Sequence, residues 1–150
     1  MRAFLSIKYH DNHQNRPLIE TISSAFADMG IEIVCIVRDI EQWGTVHISA
    51  AELMKKTFEV IDSCAFVLVD VTEKGVGIGI EAGYAYAKKK PIFTIASVNA
   101  DISETLKGIS TKTLRYNELA DLSPIADQLR HAAQSLRNSI HPVLYLSLMK

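Results

Sequence analysis

Three glycines, Gly75, Gly77 and Gly79, fall at alternate positions just ahead of a glutamate, Glu81. Glycine lets backbone N–H groups approach a ligand closely, and a helix that follows such a run turns its positive end toward an anion. With a helix running from about Ile80 to Lys89, Glu81 lies at its start, where the helix end stabilises a carboxylate. It is therefore expected to stay ionised and to suit a nucleophile better than an acid, with Gly77, Gly79 and Gly83 leaving room for a ring against its oxygens. The bland alternative is a glutamate that merely decorates a helix N-terminus. The run Gly77-Ile78-Gly79-Ile80-Glu81-Ala82 also satisfies a dinucleotide-binding fingerprint. Against that reading, it follows the third strand rather than the first, and the acidic partner would have to be Asp101, beyond the next strand.

Other residues offer chemistry with less support. His10-Asp11-Asn12-His13 contains metal-ligand types, but no third ligand has supporting spacing and a solvated loop is the simpler reading. Asp70 ends an apolar run, where it either touches a ribose hydroxyl or caps the following turn. Trp43 in a polar stretch either stacks on a base or covers the protein's own core. Cys35 and Cys64 lie in apolar stretches without CxxC spacing and read as buried free thiols, with a disulfide as the minor alternative.

The elements that must position these groups follow from the apolar pattern. The chain has 150 residues, is 48% hydrophobic and 22% charged, and carries a net charge of −1, which suits one globular domain spanning 1–150. Near-neutral charge argues against binding a nucleic-acid polymer. No apolar run approaches the roughly 20 residues that cross a bilayer, and the apolar N-terminal run is too short for a secretory signal, so a cytoplasmic protein is expected. Apolar runs at Ala3–Ile7, Ile31–Val37, Ala65–Val71, Pro91–Ala96 and Thr113–Tyr116 alternate with helix-period segments. The first helix is bracketed by Pro17 and Gly30, the second is capped by Ser49 with Glu52 three residues on, and the last opens at Ser123-Pro124. This pattern predicts a flavodoxin-like or Rossmann-like α/β three-layer sandwich around a mostly parallel five-stranded sheet. Ligands in such sheets bind beyond the carboxyl ends of the strands, where the polar segments Lys8–Arg16, Arg38–Gly44 and Thr72–Glu81 fall.

The run from Phe66 to Ala85, containing Val76-Gly77-Ile78-Gly79-Ile80-Glu81-Ala82-Gly83-Tyr84-Ala85, resembles the nucleoside 2-deoxyribosyltransferase superfamily, which includes the 2′-deoxynucleoside 5′-phosphate N-hydrolases. Gln14-Asn15-Arg16-Pro17-Leu18-Ile19-Glu20 looks like the start of that family's first helix, and Ser6-Ile7-Lys8 looks like the hydrolases' Ser-Ile-Arg. The likeness covers roughly residues 1 to 98. It implies that Glu81 is a nucleophile on the anomeric carbon of a (deoxy)ribose, displacing the base through a covalent intermediate. It implies a small nucleoside or nucleotide as partner, no metal or redox cofactor, and subunits that complete each other's pockets. The apolar tail 143–149 is compatible with such a homo-oligomer.

The chain departs from the family where a second carboxylate is expected. Thr57 and Gly75 occupy the two positions, and threonine is no general acid at neutral pH. Either another carboxylate substitutes (Asp11, Asp39, Glu59 or Asp62), or the leaving group needs no proton, or activity is lost and the fold serves as a nucleotide-binding or sensing module. Lys8 and Arg16 are the expected brackets of a 5′-phosphate, unless Arg16 is simply solvated, and Ser6, Gly75, Gly77 and Gly79 complete the expected substrate-binding set with Trp43 and Asp70.

Overall fold

The computed structural model describes residues 1–147, with side chains as far as Ser139. Five strands form the sheet: β1 (Arg2–Ser6), β2 (Glu32–Val34), β3 (Phe66–Asp70), β4 (Ile92–Ser97) and β5 (Lys112–Tyr116). All four pairings are parallel and the order is β2-β1-β3-β4-β5, a flavodoxin-like arrangement. The helices are α1 (Arg16–Ala27), α2 (Ile36–Asp39), α3 (Ala50–Ser63), α4 (Val76–Ala87), α5 (Glu104–Ile109) and α6 (Leu122–Ser147).

Neighbouring strand residues feed opposite faces, as the two-residue pleat requires. Leu5, Leu68 and Phe93 pack with Ile22, Phe26 and Leu129 under α1 and α6. Phe4, Val67 and Ile92 pack with Ile61, Ile78 and Ala82 under α3 and α4. β3 is buried at every residue, which is why it reads as an unbroken apolar run.

The expected end signals operate at two helices. Pro17 sits in the first turn of α1, and Gly30 beyond its end adopts φ +74°. Ser49 caps α3 by accepting the Glu52 backbone N–H at 3.2 Å.

The structure sharpens or corrects the sequence expectation at four points. The sheet is wholly rather than mostly parallel. β2 stops at Val34 because the Asp39 carboxylate accepts the Cys35 N–H at 2.8 Å and turns the chain into α2. α4 begins at Val76 rather than near Ile80, so Gly77 and Gly79 lie inside the helix and not in a loop. Burial of Ile78, Ala82 and Ala85 against the sheet outweighs the glycines' poor helix propensity. Finally, α5 precedes β5 although it buries no side chain fully. The backbone of α6 runs through to Ser147, but the side chains of the apolar tail 143–149 lie outside the described residues, and with them the expectation of a tail crossing to a second subunit.

Candidate active site

β1 and β3 are neighbours from which the chain departs in opposite directions, and a crevice opens beyond their carboxyl ends. Ser6 ends β1 opposite Val69 of β3. The chain then leaves β3 through Asp70 to Gly75 and enters α4, which carries Glu81 in its second turn. From there the Glu81 side chain reaches back to β1, and the buried Ser6 hydroxyl donates a hydrogen bond to its Oε2.

Glu81 is half-buried, and this burial pushes its pKa up to about 7, while the Ser6 hydrogen bond pulls the other way. The expected stabilisation by the helix end is weak, because the dipole acts over the first turn and α4 starts five residues before Glu81. The expectation of a carboxylate ionised throughout is therefore corrected: near neutrality the group divides between its acid and its anion.

A cleft of about 430 Å³ opens on Glu81. That volume is within the roughly 300–1,000 Å³ typical of small-molecule sites. Phe4, Ile7, Ile36, Val37, Leu53 and Met54 make its walls apolar, and Tyr9, Cys35, Glu41, Thr57 and Gly77 complete the lining. The arrangement presents a carboxylate to an apolar-walled cleft with one hydrogen-bond donor behind it, which suits attack on an electrophilic carbon. Two protic neighbours are chemically quiet. The Thr57 hydroxyl donates to the Leu53 carbonyl at 2.8 Å, and burial pushes the Cys35 thiol up to about 12.

The other residues named from the sequence are distributed around this cleft. Gly77 lines it, whereas Gly75 and Gly79 line a separate groove between α4 and α5. Lys8 runs beside Gly75, its Cγ 3.8 Å from where a β-carbon there would lie. Asp70 is turned inward: it accepts the Thr72 N–H at 2.9 Å and the Tyr116 hydroxyl at 2.8 Å, so it caps the turn after β3. Trp43 packs on the core under α1 with His13 edge-on at 5.5 Å and the Arg16 guanidinium 4.6 Å above its ring. That contact holds the Arg16 guanidinium over an indole. His10 contacts Glu73 and Gln14, and no group of three metal-ligating side chains occurs among the described residues. The dinucleotide fingerprint loses its tight turn, since two of its glycines are helical. Cys35 and Cys64 are free and buried.

None of the four carboxylates considered as substitutes lines the cleft. Asp39 is held by Arg38 and the Cys35 N–H, and Asp62 by Tyr84 and Lys88. Glu59 borders another surface depression on α3, and Asp11 is exposed in its loop. Glu41 and Tyr9, which do line it, were not singled out from the sequence, although both fall in polar segments expected at the ligand-binding end.

Comparison with solved structures matches this architecture. The chain shares its fold with the nucleoside 2-deoxyribosyltransferase-like proteins. Clostridium botulinum CMP N-glycosidase BcmB superposes with TM-score 0.65 at 19% identity, covering 86% of this chain and 99% of that one. A 2-deoxyribosyltransferase from Bacillus psychrosaccharolyticus gives TM-score 0.64 at 11% identity, covering 82% and 90%. The solution structure of BlsM gives 0.66 at 17% identity, covering 91% and 93%. No protein-family model and no curated protein matches the sequence. Among the described residues no helix is long and apolar enough to cross a membrane.

Proposed function

We propose that the protein cleaves the N-glycosidic bond of a (deoxy)nucleoside or its 5′-monophosphate, with Glu81 as the nucleophile. The observation that carries this reading is the half-buried Glu81 carboxylate, anchored to Ser6 at the β1/β3 crevice and facing an apolar cleft of nucleoside size. Support comes from the fold shared with an N-glycosidase and a deoxyribosyltransferase, and from the Val76–Ala85 motif, whose glutamate is this residue.

In this mechanism Ser6 holds Oε2 and leaves Oε1 for the sugar. Attack of Oε1 on the anomeric carbon breaks the bond to the base and forms a glycosyl ester of Glu81. Water or a second base then displaces the ester, and two inversions give net retention. Apolar walls favour the step because the attacking anion is poorly solvated before it reacts. Burial raises the Glu81 pKa to about 7, so the reactive anionic fraction grows as pH rises through that value. Lys8, beside Gly75 at the start of α4, is placed to meet a 5′-phosphate together with the unpaired first-turn amides of that helix. Asp70, Arg16 and Trp43 hold the walls and loops of the site in this scheme.

The test is incubation with a panel of ribo- and deoxyribonucleosides and their 5′-monophosphates, CMP among them, with and without an acceptor base. Released or exchanged base is read by chromatography. Base release that Glu81→Gln abolishes is the expected result. Saturable binding without product, or turnover that survives Glu81→Gln, would overturn the proposal.

A further inference from the structure

Breaking a glycosidic bond leaves an electron pair on the departing base, and most bases leave poorly unless the base gains a proton. Glu81 cannot supply it while acting as nucleophile. Thr57, at the position of the family's second carboxylate, spends its proton on the Leu53 carbonyl, and the Cys35 thiol holds its proton up to about 12. One other acidic residue lines the cleft, Glu41.

The backbone fixes Glu41 firmly. Its N–H donates to the Ile36 carbonyl at 3.0 Å, and its own carbonyl accepts the Gly44 and Val46 N–H groups at 3.0 Å each. The next three residues, Gln42, Trp43 and Gly44, all take left-handed conformations, with φ of 48°, 57° and 84°. Two consecutive non-glycine residues there are strained, so the surroundings must enforce them. They do: the Trp43 ring is clamped between Arg16 and His13 and rests on the core. The loop after β1 thus locks the loop after β2, and the lock directs Glu41 to the cleft. The Glu41 side chain meanwhile makes no hydrogen bond or ion pair with any described residue. A pinned backbone and an uncommitted carboxyl group, on a residue that lines the same cleft as the nucleophile, form an arrangement that packing alone does not explain.

We propose that Glu41 is the acid–base residue of this site, replacing the carboxylate that Thr57 cannot provide; the assignment rests on the N-glycosidic reading above. In the first half-reaction Glu81 Oε1 bonds to the anomeric carbon, the carbon–nitrogen electron pair goes to the base, and the Glu41 carboxyl proton is transferred to that base. In the second, the Glu41 carboxylate takes a proton from water, the water oxygen bonds to the anomeric carbon, and the ester electron pair returns to Glu81. Glu41 ends protonated, as it began.

The experiment compares wild type, Glu41→Gln and Glu41→Asp on two substrates: the best nucleoside or nucleotide of the panel, and p-nitrophenyl 2-deoxyribofuranoside, whose leaving group departs as a stable anion. Glu41→Gln is expected to slow base release at least 100-fold while changing p-nitrophenolate release from the burst phase less than 5-fold. Glu41→Asp is expected to recover part of the loss. Equal loss on both substrates, or no loss on either, overturns the role of Glu41 while leaving Glu81 in place. A wild type inactive on every substrate, or a Glu81→Gln variant with full activity, overturns the N-glycosidic reading itself and this assignment with it. Circular dichroism of each variant distinguishes lost chemistry from lost folding.

Discussion

Glu81 keeps its proton to about pH 7 because ionising it removes charge from water into an apolar pocket. Its folded pKa lies above the ordinary value of 4.5, so the native state binds the proton more tightly than the unfolded chain does. The resulting stabilisation is complete below about pH 4.5 and is lost as pH rises through about 7. Glu81→Gln removes the penalty and keeps an oxygen for Ser6. We therefore expect the variant to be inactive and more stable than wild type at pH 8, by about 3 kcal/mol, with the two converging at pH 4.5; urea denaturation at both pH values checks this. Ser6→Ala has the opposite sign. It removes the one hydrogen bond that favours the anion, so the acidic limb of the kcat/KM profile should move to higher pH.

At the scale of elements, α4 both carries the nucleophile and contains Gly77, Gly79 and Gly83 in its interior. A β-carbon at Gly77 or Gly83 would meet nothing within 4 Å. Each glycine-to-alanine change should therefore stabilise the helix by roughly 0.5–1 kcal/mol. The functional consequences differ, because Gly77 lines the Glu81 cleft and Gly83 does not. Gly77→Ala is expected to raise KM, and Gly83→Ala to raise Tm with unchanged kinetics. The glycines also show where sequence reading fails. Alternating glycines imply a loop, and only the burial of Ile78, Ala82 and Ala85 against the sheet makes the segment helical. By contrast, α1 and α3 are legible because Pro17, Gly30 and Ser49 act locally, through backbone φ or a single hydrogen bond. Glu41 was hidden for a related reason: the left-handed turn that presents it depends on Trp43 meeting His13 of the loop after β1 and Arg16 at the start of α1.

Across the whole molecule, a largely parallel five-stranded sheet was legible in the alternation of apolar runs with helical segments, whereas its strand order, which puts Glu81 at the crevice, was not. What no pattern could reveal is how the strand ends are tied together. The Tyr116 hydroxyl of β5 donates to Asp70 of β3 and lies 2.8 Å from the Thr72 hydroxyl, which accepts the Ser97 N–H of β4. Burial pushes the Asp70 carboxyl above its ordinary pKa, and the Tyr116 bond supports its anion. Tyr116→Phe is expected to cost about 1–3 kcal/mol in urea denaturation, most where Asp70 is charged and less as acid protonates it. Asp39, at the other margin of the sheet, has a different consequence. By drawing Cys35 out of line it leaves β2, an edge strand, with only three paired residues. So short an unpaired rim is a poor template for strands of other molecules, and the carboxylate that ends β2 thereby also guards the protein against edge-to-edge aggregation.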